Sequence, residues 1–315
     1  MTCADVAVFL REHDNYLILT HKRPDGDAIG CSVALAEMLR GIGKTAWLPP
    51  VSDASGLLSE YLEGRLAPAD FVPVTVISVD LASLNLLPDH AQAWRDRIDL
   101  AIDHHPSNEG YAKQTWLEGN RAACGELLFG LAEQLGVMNQ TIANALYVAV
   151  STDCGCFVYS NTTANTHRVA AALMEAGAEY KRLNKKHFRT KSMARMKLEG
   201  LILQNLKLYR DGTIAVAPIS LYMMAEAGAG EEDAEDIAAL IGQIRGVLYS
   251  ATIRELKPGE CKISLRSGDV GFNASMACAR LGGGGHAAAA GCVIHGTVEE
   301  AETAIVGAIE SQLAE

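Results

Sequence analysis

No apolar run in this chain approaches the roughly 20 residues that a membrane-spanning helix needs, so no membrane helix is expected. Met1 to Leu10 lacks a basic stretch ahead of an apolar one, the arrangement that opens a secretory signal, and the expected address is the cytoplasm. There is no C-x-x-C pair of the kind that holds zinc. Of Cys3, Cys31, Cys124, Cys154, Cys156, Cys261, Cys278 and Cys292, only Cys154 and Cys156 are close, as C-x-C; the eight read as reduced, buried thiols. Basic residues are in deficit, 27 against 38 acidic, for a net charge of −11. That balance excludes a broad basic groove for long nucleic acid. It does not exclude an anionic substrate, because bound cations invert the local field. Internal repeats and low-complexity segments are also lacking.

What is present suits a globular chain: 315 residues, 49% hydrophobic and 21% charged, long enough for two domains. The first half alternates strand and helix patterns. Tyr16 to Thr20, Val74 to Val79 and Ile98 to Ile102 are short apolar runs with the character of strands. Ala28 to Leu39, Leu127 to Leu135, Ile142 to Val150 and Thr166 to Met174 carry helical spacing, and Gly41 and Gly43 stop the first of them. Strands separated by helices point to parallel βαβ units, whose ligands gather beyond the carboxyl ends of the strands.

Glu179 to Leu206 is basic and helix-compatible throughout, and reads as a connector. Beyond it the pattern changes. Leu206 to Pro218 has an Asp211-Gly212 turn between two strand-like runs, a hairpin signal. Val247 to Leu256 and Cys261 to Ser267 form a second pair around Lys257-Pro258-Gly259-Glu260, Phe272 to Leu281 reads as a helix, and Thr297 with Glu300 makes a capping box for a last helix. The expected architecture is α/β: an N-terminal parallel-sheet domain over residues 1–180, a helical linker over 181–207 and a smaller C-terminal α+β domain over 208–315.

Chemistry-bearing residues concentrate at the ends of the apolar runs. His21, Asp25 and Asp27 fall within seven residues, between a strand and a helix. Imidazole with hard carboxylate oxygens, and no thiolate, suits Mn²⁺, Mg²⁺ or a related cation. Asp27 has an alternative reading as the N-cap of the helix. Asp80 ends Val76-Ile77-Ser78-Val79, where it could also be a turn residue. Asp103-His104-His105 places an acid beside two imidazoles; one can ligate while its neighbour meets substrate. Asp153 follows a further apolar run, Leu146 to Val150, with Cys154 beside it as filler. With Asp103 and one imidazole of the adjacent pair set aside, the set supplies four Asp and two His as ligand candidates, the count expected for two cations bridged by one carboxylate. Such a pair, ~3.5–4 Å apart, clamps phosphoryl oxygens and activates water.

In the second half, Gly282 to Gly285 follows a helix and precedes His286, the reverse of a dinucleotide fingerprint. Glycines allow close approach to an anion, and His286 and the planar fork of Arg266 are candidate phosphate contacts.

Taken together these residues resemble the DHH family of phosphoesterases. His21, Asp25, Asp27 and Gly30 meet its H-x-x-x-D-x-D-A-I-G pattern; Asp80 meets the strand-end Asp; Asp103, His104 and His105 are the D-H-H signature. Thr152, Asp153 and Gly155 meet T-D-x-G, with Cys154 where Thr is expected, and Gly283 to His286 with Ala289, Ala290 and Gly291 meet the G-G-G-H and A-A-G elements of the associated substrate-binding domain. Length and domain content resemble the branch that acts as oligoribonuclease and pAp phosphatase. The resemblance implies two cations, Mn²⁺ first, with Mg²⁺ or Co²⁺ as alternatives. His21, Asp25 and Asp80 would hold one, and Asp27, Asp80, His104 and Asp153 the other. Asp103 would tune the site and His105 would face the phosphate. Arg266, Gly283, Gly284, Gly285 and His286 would grip the substrate, with the two domains closing about a basic hinge.

The expected activity is therefore metal-dependent hydrolysis of short oligoribonucleotides to mononucleotides, with pAp to AMP as a second reaction. The expected partners are a short oligonucleotide or nucleotide, no long nucleic acid and no membrane, with homodimerisation left open. Competing readings are a cyclic or linear dinucleotide phosphodiesterase and a pyrophosphatase, whose relatives lack G-G-G-H. A RecJ-type exonuclease would be longer, and a nucleotide-binding protein on a degenerate DHH fold would have lost ligands.

Overall fold

The computed structural model describes residues 1–50, 56–234, 237–268 and 271–314. The chain forms two compact units, Met1–Thr190 and Lys191–Glu315.

The first unit contains, in chain order, α1 (Cys3–Glu12), β1 (Tyr16–Leu19), α2 (Gly26–Gly41), β2 (Ala46–Trp47), α3 (Gly56–Ser59), β3 (Thr75–Val79), β4 (Leu100–Asp103), β5 (Gln114–Leu117), α4 (Cys124–Leu135), α5 (Gln140–Asp153), α6 (Ala164–Glu175) and α7 (Tyr180–Phe188). Among the described residues its sheet has five strands, all parallel, in the order β2-β1-β3-β4-β5. The strands at the centre are buried at every position, as an apolar run covered on both faces should be. Along β1 the side chains divide by pleat. Tyr16 and Ile18 join the large cluster with α1, α2, α4 and α5, while Leu17 and Leu19 join Leu81, Leu87 and Ile98 on the other face. From β1 the chain turns to β2 on one side and later to β3 on the other. The switch in strand order therefore lies between β1 and β3, where an open parallel sheet leaves a crevice for ligand.

The second unit contains α8 (Met193–Asn205), β6 (Lys207–Tyr209), β7 (Ile214–Ile219), α9 (Leu221–Ala227), α10 (Ile237–Ile241), β8 (Tyr249–Lys257), β9 (Glu260–Ser267), α11 (Ala274–Ala279), β10 (Gly284–Gly285), β11 (Ala289–His295) and α12 (Val298–Leu313). Its mixed sheet runs β10-β11-β9-β8-β7-β6, with only β7 and β8 parallel. Both expected hairpins, β6–β7 and β8–β9, are present, and Arg210, Asp211 and Gly212 turn the first through left-handed backbone. The Thr297–Glu300 capping box starts α12.

The basic, helix-compatible stretch from Glu179 to Leu206 is broken into two helices: α7 ends at Phe188, and Ser192 caps α8 anew by accepting from the Arg195 N–H. Gly284 and Gly285, read from the sequence only as room for an anion, form a short strand against β11. The short strands β2 and β5 and the helix α1 were not anticipated.

Candidate metal centre

Three adjacent strands deliver the acidic cluster. His21 follows β1, Asp80 follows β3, and Asp103 ends β4 with His104 and His105 directly after it. Two helices supply the rest. Asp25 is the N-cap of α2, accepting from the backbone N–H of Asp27 and Ala28, so the cap is Asp25 and not Asp27. Asp27 sits in the first turn, and Asp153 is the last residue of α5. Packing of α2 against α5 brings these two together. A Cβ on Gly30 would lie 2.4 Å from the Ala145 carbonyl oxygen, and one on Gly26 2.2 Å from Thr152 Oγ1, so both glycines permit a separation that no other residue would.

The side chains converge as two groups about Asp80. His21 Nε2 lies 3.9 Å from Asp25 Oδ1 and 3.8 Å from Asp80 Oδ2. His104 Nε2 lies 3.8 Å from Asp27 Oδ2, 3.5 Å from Asp80 Oδ1 and 3.6 Å from Asp153 Oδ2. His21, Asp25 and Asp80 are close enough to share one ion, as are Asp27, His104 and Asp153. All six residues expected at the metal centre are thus in one place, with one Asp80 oxygen turned to each group.

The surroundings fit a divalent cation. Asp80 is 2% exposed, and its Oδ1, like Asp153 Oδ2, is buried with no hydrogen-bond partner among the described residues. A buried carboxylate oxygen without a donor is costly unless a cation meets it. Both histidines are oriented to the same end. The Nδ1 of His21 faces the Lys22 carbonyl at 3.0 Å and that of His104 the Arg121 carbonyl at 3.1 Å. A carbonyl can only accept, so Nδ1 carries the hydrogen and Nε2 is turned toward the carboxylates. Electrostatics agree. Burial, then the neighbouring Asp80 and Asp153 charges, push the Asp27 carboxyl well above the usual range, and burial lifts Asp153 to about 6. Burial alone would lower the His104 imidazole, but Asp80 and Asp27 outweigh it and push it up to about 10. Oxygen and imidazole donors crowded to this degree suit a hard divalent ion.

Asp103 serves a different partner. It is 0% exposed; its Oδ1 accepts the backbone N–H groups of His104 and His105 at 2.8 and 3.2 Å and the His105 Nδ1–H at 2.8 Å. Despite burial, the His105 and Asn108 hydrogen bonds hold its carboxyl below the usual range. His105 Nδ1 is thereby committed to Asp103, with Asp80 Oδ1 3.5 Å away, and the ring is half-exposed.

The sequence reading missed the groups that hold these ligands. Asp27 Oδ2 accepts from Cys124 N–H at 2.7 Å, and its Oδ1 from Gly125 N–H at 3.0 Å and Cys31 Sγ at 3.1 Å. The first backbone donors of α4 thus neutralise one side of this carboxylate.

Arg266, Gly283, Gly284, Gly285 and His286 lie in the second unit, where they form a neighbourhood of their own. Arg266 in β9 pairs with Ala289 of β11, and His286 turns β10 into β11 by exchanging backbone hydrogen bonds with Ala289 at 2.8 and 3.2 Å. His286 is exposed, as are Gly284 and Gly285. Gly283 and Gly285 have a packing reason to be glycine: a Cβ would come within 2.2 Å of Gly291 O or 2.6 Å of Ala289 O. A Cβ on Gly284 would meet nothing.

Residues 15–150 match the DHH family, N-terminal domain, and residues 211–315 match the DHHA1 domain. The chain belongs to the DHH family and is a phosphoesterase with a DHH and a DHHA1 domain. Within that class it is similar to the bifunctional oligoribonuclease and PAP phosphatase NrnA of Thermus thermophilus, at 31% identity over 307 residues, 94% of this chain and 89% of that one. The Bacillus subtilis protein of the same name is 25% identical over 288 residues, 90% of each chain. The crystal structure of an exopolyphosphatase-related protein from Bacteroides fragilis superposes with a TM-score of 0.89 at 25% identity, over 98% of this chain and 96% of that one. Among the described residues no helix is long and apolar enough to cross a membrane.

Proposed function

We propose that the protein hydrolyses short oligoribonucleotides to mononucleotides and removes the 3′-phosphate of pAp, using two divalent cations, Mn²⁺ foremost. His21, Asp25 and Asp80 would hold one cation, and Asp27, Asp80, His104 and Asp153 the other. The observation that carries this reading is the shared Asp80 carboxylate, with Oδ2 3.8 Å from His21 Nε2 and Oδ1 3.5 Å from His104 Nε2. When bound, the cation pair polarises water and offsets charge on the phosphoryl oxygens. The protein's own groups do the remainder. Asp103, itself buried, fixes the His105 ring through Nδ1, which leaves Nε2 for the substrate phosphate. Arg266 and His286 bind phosphate, and the exposed Gly284 backbone leaves room for a close anion. The names of the Thermus and Bacillus relatives support the substrate class, and a net charge of −11 fits a short ligand better than a polymer.

The test is metal-stripped protein reloaded with Mn²⁺, Mg²⁺ or Co²⁺ and assayed on RNA dinucleotides, longer RNA, pAp, cyclic dinucleotides and pyrophosphate. Dinucleotides and pAp should turn over fastest; a preference for pyrophosphate overturns the substrate assignment. Asp80→Ala should abolish turnover at saturating Mn²⁺, and retained turnover refutes the shared role.

A further inference from the structure

Asp80 departs from ordinary backbone: its φ of 54° lies in the left-handed region, which a residue with a Cβ occupies only when its surroundings impose it. Two side chains, neither a candidate ligand, grip the carbonyl of the next residue. The Leu81 carbonyl accepts from Tyr111 OH at 2.6 Å and from Asn108 Nδ2 at 3.2 Å. Tyr111 is braced from behind by Ser78 Oγ of β3, at 2.9 Å. Asn108 does more. Its Nδ2 also donates to Asp103 Oδ2 at 2.7 Å, and its Oδ1 accepts from Gly110 N–H at 2.8 Å. Both amide hydrogens and the oxygen are committed, so the orientation of this side chain is determined. One amide therefore ties the bend at Asp80 to the acid that orients His105.

We propose that Asn108 and Tyr111 are positioning residues of the phosphoesterase reaction: Tyr111 holds the Asp80 bend alone, whereas Asn108 couples that bend to the Asp103–His105 pair. The inference rests on the two-cation reading of the centre. Groups that orient ligands from behind commonly change metal affinity or activity by about 10–100-fold when removed. The two residues differ in what they reach, and so should their variants. Tyr111→Phe loosens only the Asp80 side and should weaken Mn²⁺ binding by about tenfold, while kcat at saturating Mn²⁺ stays within about threefold. Asn108→Ala frees both sides. It should weaken Mn²⁺ binding by about 10–100-fold and also lower kcat at saturating Mn²⁺ by about 10–100-fold, with KM for an RNA dinucleotide within about threefold.

The experiment measures Mn²⁺ affinity by calorimetry, kcat and KM on an RNA dinucleotide, and the melting temperature of wild type, both variants and Asp80→Ala. Wild type that binds no Mn²⁺ overturns the cation reading itself. Wild type that binds, with Asn108→Ala losing melting temperature but neither affinity nor kcat, reduces Asn108 to a stability residue and overturns this inference. A fall in kcat for Asn108→Ala equal to that for Tyr111→Phe overturns the coupling. If Asn108→Ala does not fold, Tyr111→Phe decides: unchanged Mn²⁺ affinity sinks the clamp.

Discussion

Oδ2 of Asp27 accepts a 2.7 Å hydrogen bond from the backbone N–H of Cys124, 97 residues further along the chain. Cys124 is the first residue of α4, where proline is tolerated because the helix itself has no use for that N–H. Cys124→Pro should therefore keep the helix but strip Asp27 of a donor, weakening Mn²⁺ affinity by about 10–100-fold. Stability should fall by about 1–3 kcal/mol, since a buried acceptor loses its partner. Cys124→Ala retains the N–H and loses the thiol's contacts to the Ile102 carbonyl and the Cys31 thiol, so its affinity should stay much nearer wild type than that of Cys124→Pro. Calorimetric titration of the two variants separates the backbone donor from the side chain; equal affinities would show that the α4 terminus does not support Asp27.

The approach of α2 to α5 gives a second prediction. Gly30→Ala forces a Cβ to 2.4 Å from the Ala145 carbonyl and must part the two helices that carry Asp27 and Asp153. Overpacking of this kind costs about 1–3 kcal/mol, and here Mn²⁺ affinity should fall with stability. Gly130→Ala, in α4 with nothing within 4 Å of the new Cβ, should instead stabilise by about 0.5–1 kcal/mol and leave affinity alone. Chemical unfolding with and without Mn²⁺ reads both effects.

These two cases show why the centre was partly legible in the sequence. Asp80 and Asp103 end apolar β-branched runs, and that pattern survives in one dimension because strand ends and strand composition are local. Asp153 follows an apolar run that already carries helical spacing, Ile142 to Val150, and it ends the helix α5. What supports the ligands is not local. Cys124 N–H reaches Asp27 only once α4 and α2 are packed, and Asn108 reaches Leu81 only once β3 and β4 are paired. Backbone donors carry no residue identity that a sequence could display. The strand β10 escaped notice for another reason. Gly284 and Gly285 have neither β-propensity nor alternation, and their pairing with Ala290 and Gly291 depends on small residues that let two backbones meet.

His187 predicts a pH dependence away from the metal centre. Its Nε2 is 2.8 Å from Tyr61 OH, and burial, reinforced by the Lys186 ammonium, lowers the imidazole to about 4. An unfolded histidine titrates near its ordinary value of about 6.5. Between those values the unfolded chain binds a proton that the folded one refuses, so stability falls as pH drops through this window and is complete above it. The contribution should be roughly 1–3 kcal/mol. His187→Gln removes the titration: the wild-type minus variant difference in unfolding free energy should decline from pH 7 to pH 4.5. A difference independent of pH would show that His187 is not held neutral.

The glycines before His286 can be told apart by substitution. Gly283→Ala and Gly285→Ala drive a Cβ into the backbone of β11, at 2.2 Å from Gly291 O and 2.6 Å from Ala289 O, and Gly285 also has a φ of 145° that a Cβ disfavours. Both should lower stability, by about 1–3 kcal/mol. Gly284→Ala meets nothing and should leave stability within about 0.5 kcal/mol. If the exposed Gly284 backbone lies against bound phosphate, a methyl group there occupies the anion's space. KM for an RNA dinucleotide should then rise by about tenfold or more while kcat changes little, the signature of lost binding common to ground and transition states. Steady-state kinetics on folded Gly284→Ala decides the matter: an unchanged KM would leave Gly283 and Gly285 with packing roles alone and Gly284 with none, and move the substrate grip to Arg266 and His286.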